Sequence, residues 1–459
     1  GSLSCLSMTF SKFNFFINRI FIISIHEIID KILYMKILYS FLSSLFLTLL
    51  SIVLPAQQTD WTHFRGSLLN GISTEKNVPV KWDESSGIVW KVPSFGRGWS
   101  SPVVYGNQVW ITSETNNGKQ MYALCYDFTT GKELYRIKLF EPEKVFSKHE
   151  INTYATPTPC IEKDFAYFHF GTYGTACVNT TNGSVVWKRT DLNCDHVQGP
   201  GSSPIIWKNM LILHLEGTDV QFITALDKTT GKTIWRTERP RDLMDKLPRI
   251  GKKAYITPIV INVNGRDLLI SNGSAVCIAY DIQTGTEVWR IVQGEDSTIS
   301  MPFSENGIVY FFTSFVTVPG EGQYCELMAV NPDGKGDIAG TNIIWRKKFP
   351  VLQLLTPLIK DGLIYLVDTR NTLQCIDAAT GNTFYTYRLR DKYNASPVYA
   401  AGKIYFPSVT GETLVITEGK ELNILSRNRL PGEIYATPAI LRNSILIRTS
   451  DFLFRIGIK

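Results

Sequence analysis

A repeated proline motif limits what this chain can fold into. Ser101-Pro102-Val103, Thr156-Pro157-Thr158, Ser203-Pro204-Ile205 and Thr257-Pro258-Ile259 are followed by Met301-Pro302-Phe303, Thr356-Pro357-Leu358, Ser396-Pro397-Val398 and Thr437-Pro438-Ala439. Between Pro102 and Pro438 the mean spacing is 48 residues. Self-similarity at such a period belongs to solenoids, propellers and arrays. Each copy leads through a short turn, such as Gly106-Asn107 or Asp361-Gly362, into a second apolar run, the signature of a hairpin. An Asp-x-x-Thr-Gly turn and an aromatic residue follow: Asp127, Gly131 and Tyr135; Asp227, Gly231 and Trp235; Asp281, Gly285 and Trp289; Asp377, Gly381 and Tyr385. Asn179, Gly183 and Trp187 form a variant, and the stretch from Val330 to Trp345 is a lengthened one. The Asp side chain can bond the turn backbone, and the Gly supplies a positive φ.

Each repeat therefore predicts four short antiparallel strands, and eight repeats predict an all-β, eight-bladed β-propeller. An aromatic content of 12% suits strands better than a helical bundle. A linear solenoid is the competing architecture, and the chain ends argue against it. The last repeat reaches Lys459 after about three strands, and Ile88–Lys91 has the pattern of its missing fourth strand. Pairing Ile88–Lys91 with Phe452–Ile456 would close the ring. The seventh repeat is degenerate, with Leu422–Leu425 where an aromatic strand is expected.

The stretch Ala225–Trp235, echoed by Ala279–Trp289, resembles the tryptophan-docking motif of the pyrroloquinoline-quinone-like (PQQ-like, or quinoprotein alcohol dehydrogenase-like) propeller family. Trp61–Gly66, followed by Asn70-Gly71, resembles the opening of many exported bacterial members. The likeness spans about residues 60–459. It implies the propeller fold and two functional branches: quinoprotein dehydrogenases, and non-catalytic scaffolds like the BamB lipoprotein of the outer-membrane barrel-assembly machine. A fold of this kind hosts unrelated activities.

The N-terminal segment has a different character. Residues 1–34 read as extension upstream of a start at Met35. Residues 35–56 hold an uncharged run, Ile37–Leu54, ending at Pro55-Ala56, which reads as a cleaved signal peptide; a membrane anchor is the rival. The exported part, residues 57–459, forms one propeller domain, periplasmic or extracellular. Its seven cysteines are irregularly spaced and odd in number, which is no disulfide framework. Cys125, Cys177 and Cys375 occupy equivalent strand positions and are expected to be buried, reduced thiols. A net charge of +6 without a basic run does not describe a nucleic-acid binder.

Candidate site residues precede the repeat prolines, where connections reach the mouth of the central channel. Trp99, Tyr154, Tyr255 and Tyr435 stand three residues before a proline, with Asn394 and Gly201 elsewhere. They could stack a flat or sugar ligand, or simply pack between blades. His149, Glu150, Asp195 and His196 lie in consecutive connections and could hold a divalent metal or act as acid and base; a loop-stabilising network is the plainer reading. Arg249 and Lys253 crowd the next connection and could pair an anionic ligand. Against a quinone enzyme, there is no vicinal cysteine pair, and the family's Ca²⁺ ligands find no match residue by residue. Zinc-ligand spacing, a phosphate-binding Gly loop and a Gly-x-Ser-x-Gly elbow are all missing from the sequence. The sequence thus points to an exported, non-catalytic module binding a protein partner or small ligand on its channel face. The alternative is a PQQ-dependent or metal-assisted oxidoreductase.

Overall fold

The computed structural model describes residues 33–36, 38–39, 60–318, 322–350 and 353–458. The chain divides into two units, Gly1–Gln58 and Thr59–Lys459. In the first, residues 33–36 and 38–39 are helical, and most of the expected extension and signal peptide lies outside the described residues. No helix among the described residues is long and apolar enough to cross a membrane.

The second unit is an eight-bladed β-propeller of antiparallel four-stranded blades. Blade 1 comprises Val103–Tyr105, Gln108–Thr115, Gln120–Asp127 and Glu133–Phe140. Blades 2 to 7 span residues 160–189, 205–238, 259–292, 303–349, 358–388 and 398–429. The first strand of each blade starts just after its repeat proline. The hairpin turns behave as their residues dictate: Asp361 and Gly362 both take positive φ, as a two-residue turn matched to strand twist requires.

Closure follows the expectation. Blade 8 contributes Ala439–Leu441, Ser444–Arg448 and Phe452–Gly457, and its outer strand is Ile88–Pro93 from the other end of the domain. Trp90 pairs with Arg455 and Lys91 with Phe454. Cys125, Cys177 and Cys375 are buried free thiols. Each faces the aromatic residue of its own blade's outer strand, Tyr135, Trp187 and Tyr385 respectively, where alanine stands in blades 3, 4 and 5.

The aromatics then join the blades. Asp127 Oδ1 accepts the Thr130 N–H at 2.7 Å, which tightens the turn and sets Gly131 at φ +75°. The Trp90 ring lies directly over this glycine, so that a Cβ there would approach the ring to 2.9 Å. The Trp90 indole donates to the Phe128 carbonyl at 2.9 Å. Trp187 on Gly231, Trp235 on Gly285, Trp345 on Gly381 and Tyr135 on Gly183 repeat this seam.

Three seams depart from it. Between blades 4 and 5 the lengthened turn carries Gly336–Asp337 onto the blade 4 edge as a parallel strand, and the fully buried Trp289 indole N–H has no partner. Between blades 6 and 7 the Gly419 N–H donates to the Tyr365 hydroxyl instead. At the degenerate blade 7 an N-terminal residue supplies the ring: Trp82 stacks on Tyr405 with centroids 6.3 Å apart, and its backbone N–H donates to Asn428 Oδ1.

The segment before blade 8 also closes one end of the channel. Trp61 exchanges backbone hydrogen bonds with Val104 in blade 1, the Thr62 carbonyl accepts from Ile161 in blade 2, and His63 Nε2 accepts from Ile206 in blade 3. Ile72–Ser73 pairs in parallel with the inner strand of blade 7. Arg65 is 1% exposed and has no acidic partner among the described residues; its guanidinium donates to the Thr356 and Pro357 carbonyls of blade 6 and to the Asn70 carbonyl. Burial pushes its pKa down to about 9.

Two outcomes are expected. Trp235→Phe should cost about 1 kcal/mol more than Trp289→Phe, because only the former loses an indole hydrogen bond; equal costs in urea unfolding would show that these bonds contribute nothing. Arg65→Lys should lose roughly 2–4 kcal/mol, nearly as much as Arg65→Met, since a point cation cannot replace the planar fork. A lysine variant as stable as the parent would refute that reading.

Candidate functional site

With one end of the channel plugged, the other is a blind funnel. Its cavity is about 360 Å³, and Phe64 of the plug lines it. The plug bonds inner-strand residues beyond the repeat prolines, so Phe64 lies deeper than the residues ahead of them. All eight residues immediately before the repeat prolines line the wall, and seven carry a hydroxyl; Met301 is the exception.

These hydroxyls have a structural task that the sequence reading missed. Thr257 Oγ1 accepts the Ser203 N–H at 3.0 Å, Thr356 Oγ1 that of Met301 at 3.1 Å, Ser396 Oγ that of Thr356 at 3.0 Å, and Thr437 Oγ1 that of Ser396 at 3.1 Å. Ser203 Oγ likewise accepts from Thr158, whose own hydroxyl accepts from Ser101. The innermost backbone of six blades, all but 4 and 8, is thus held by a side chain of the next. The visible signal was the Ser or Thr preceding the proline, read only as a small residue.

At the mouth, Trp99 and Tyr435 are brought together, stacked with centroids 4.5 Å apart. The Trp99 indole donates to the Ile151 carbonyl at 2.9 Å. Tyr255 lines the wall opposite the Gln198 side chain, to which its hydroxyl donates. Asn394 also lines the funnel, and its side chain makes no hydrogen bond among the described residues. Tyr154 is placed elsewhere: it is buried in the core between blades 1 and 2, edge-on to Tyr173, and donates to the Phe146 carbonyl.

The titratable candidates are separated. His149 is exposed on the funnel rim, and Glu150 is exposed beside it. Asp195 lies outside the funnel, paired with the exposed Arg249 at 2.5 Å and accepting from Thr218 at 2.7 Å. These two contacts, Thr218 foremost, hold its carboxyl below the usual range. His196 is buried between Lys253, whose Nζ is 2.6 Å from Nδ1, and Cys194, whose Sγ is 3.2 Å from Nε2. Burial keeps this imidazole neutral, and Lys253 adds to the effect. No group of three or more His, Cys, Asp or Glu side chains among the described residues is arranged to hold a metal.

Lys253 is 1% exposed, and burial lowers its pKa to about 8. The folded pKa lies below the unfolded value near 10.5, so between these limits the unfolded chain binds more protons. The Lys253 contribution to stability therefore rises with pH from about 8 to 10.5 and is flat below 8. The parent protein should gain on the order of 3 kcal/mol relative to Lys253→Met across that window. Urea unfolding of both proteins at pH 7.5 and 10.5 measures it; an unchanged difference would mean that the ammonium is well solvated.

Among curated proteins, sequence comparison finds no match. Solved structures that share the fold include three of different kinds. A europium-containing methanol dehydrogenase is 12% identical with a TM-score of 0.61, covering 87% of this chain and 92% of its own. BamB from Moraxella catarrhalis is 11% identical with a TM-score of 0.56, covering 80% and 99%. The computationally designed protein Ika8 is 10% identical with a TM-score of 0.55, covering 81% and 100%. Such identities establish the architecture and nothing finer. The family model described as outer membrane protein assembly factor BamB matches residues 65–211, 219–335 and 334–424, more than half of the sequence. This chain therefore belongs to the BamB-like family of PQQ-like propellers.

Proposed function

We propose that this chain is an exported binding module, not a catalyst, and that its blind funnel holds an uncharged ligand. One observation carries the reading: the described residues lining the funnel include no Asp, Glu, Lys or Arg. The exposed His149 is the sole imidazole among them. A wall of hydroxyls, amides, aromatic rings and aliphatic side chains can bind and orient, but it lacks the paired acid and base that most hydrolytic or redox chemistry uses. Export is supported by the family match and by the apolar run ahead of the propeller.

The family also suggests PQQ with a divalent cation, and the lining does not fit that group. A quinone bearing several carboxylates calls for cationic partners, and its cation calls for carboxylate ligands. Neither is present among the described lining residues, and Arg249 and Lys253 are engaged outside the funnel.

The reading is tested by loading purified protein with PQQ and either Ca²⁺ or a lanthanide, then following alcohol-dependent dye reduction. No turnover is expected. In parallel, solvent extraction and mass spectrometry should recover a small molecule from the parent but not from Asn394→Trp, which fills the funnel without breaking a hydrogen bond. Turnover, or identical extracts from both proteins, would overturn the proposal.

A further inference from the structure

We propose that the funnel ligand is a neutral carbohydrate, bound by its end; this rests on the funnel being the binding site. The inference begins with the hydroxyl belt. Ser203, Thr257, Thr356, Ser396 and Thr437 each accept a backbone N–H, and among the described residues none of their O–H groups finds an acceptor. A hydroxyl has one proton to give as well as two lone pairs. Five protons at one depth of the cavity are therefore left for whatever enters it. The Gln198 amide nitrogen adds a donor, because its oxygen is taken by Tyr255, and the whole Asn394 amide is unspent.

Each belt hydroxyl also keeps a second lone pair, so the wall both donates and accepts, and it matches a ligand whose own groups do the same. An extended peptide offers N–H groups that only donate and C=O groups that only accept, whereas a hydroxyl serves in either sense. A sugar hydroxyl can accept from the wall and donate onward, so each belt proton has a partner and the bonds reinforce one another. The aromatic rings at the mouth suit the same class, since the C–H face of a pyranose is a flat apolar surface. Size agrees: the cavity of about 360 Å³, lined at its plugged end by Phe64, is near the lower end of ligand pockets and suits the end of a small sugar. With no cation on the wall, uronic and sialic acids are disfavoured.

The test is a panel of neutral disaccharides (maltose, cellobiose, mannobiose and chitobiose) screened by saturation-transfer NMR and titrated by calorimetry. A uronic disaccharide and a set of uncharged, C-terminally amidated peptides serve as comparison arms. At least one neutral disaccharide should bind with a dissociation constant of about 1 mM or better. Asn394→Ala, which breaks no internal hydrogen bond, and Tyr255→Ala should each weaken it at least about tenfold, and the uronic analogue should bind at least about tenfold more weakly. Binding insensitive to both substitutions would overturn the assignment. Peptides that bind with this sensitivity while sugars do not would overturn the carbohydrate class and leave the funnel reading standing. No binding in any arm would overturn both.

Discussion

A ring of blades pairs every strand on at least one side, but it leaves the inner edge of each innermost strand facing the channel with its N–H and C=O groups unpaired. Buried backbone groups need partners, and this requirement organises the middle of the molecule. Two solutions divide the channel between them. Deeper in, residues 61–73 lie against the inner strands of blades 1, 2, 3, 6 and 7 and supply backbone, imidazole and guanidinium partners. Nearer the mouth, a Ser or Thr of the following blade accepts the inner N–H of most blades. The same hydroxyls that hold the ring together form the wall of the funnel, so scaffold and candidate site cannot be separated.

The seams between blades show how a repeat tolerates irregularity. Five use an aromatic ring seated over a turn glycine. Where the turn is lengthened, as in blade 5, the glycine and the accepting carbonyl are lost together, and an added parallel strand with the buried Ile338 covers the edge instead. Where blade 7 has no aromatic, Trp82 from a distant segment takes the place. Local loss of the motif is matched each time by a different element burying the same surface.

Much of this was legible in the residues. Period, turn chemistry and the displaced fourth strand all rest on local patterns: Asp and Gly at fixed offsets, and an apolar run ending in Trp90 with no partner nearby. The Trp61–Gly66 segment looked like a family marker, and nothing in its spacing said that Arg65 would reach blade 6, because a long-range contact to carbonyl oxygens leaves no trace in periodicity. The aromatic positions were read as equivalent, yet Trp99 and Tyr435 line the funnel while Tyr154 turns into the core; equal register does not secure equal surroundings when the connecting segments differ in length. His149, Asp195 and His196 are neighbours along successive connections, but Lys253 and Arg249, from the next connection, each claim one of them.

Closure by a strand from the opposite terminus also bears on how the domain comes into being. Residues 61–93 are synthesised ahead of every other blade strand, yet their partners are scattered from blade 1 to Phe452–Gly457. Until the last blade emerges, blade 8 cannot exist, blade 1 has an open edge, and the strand that carries Trp90 has nothing to pair with. Contacts of such sequence separation form late and slowly. The growing chain must therefore carry the unpaired Ile88–Pro93 strand, with Trp90 on it, through most of its synthesis, and for that interval it depends on whatever keeps nascent chains from aggregating.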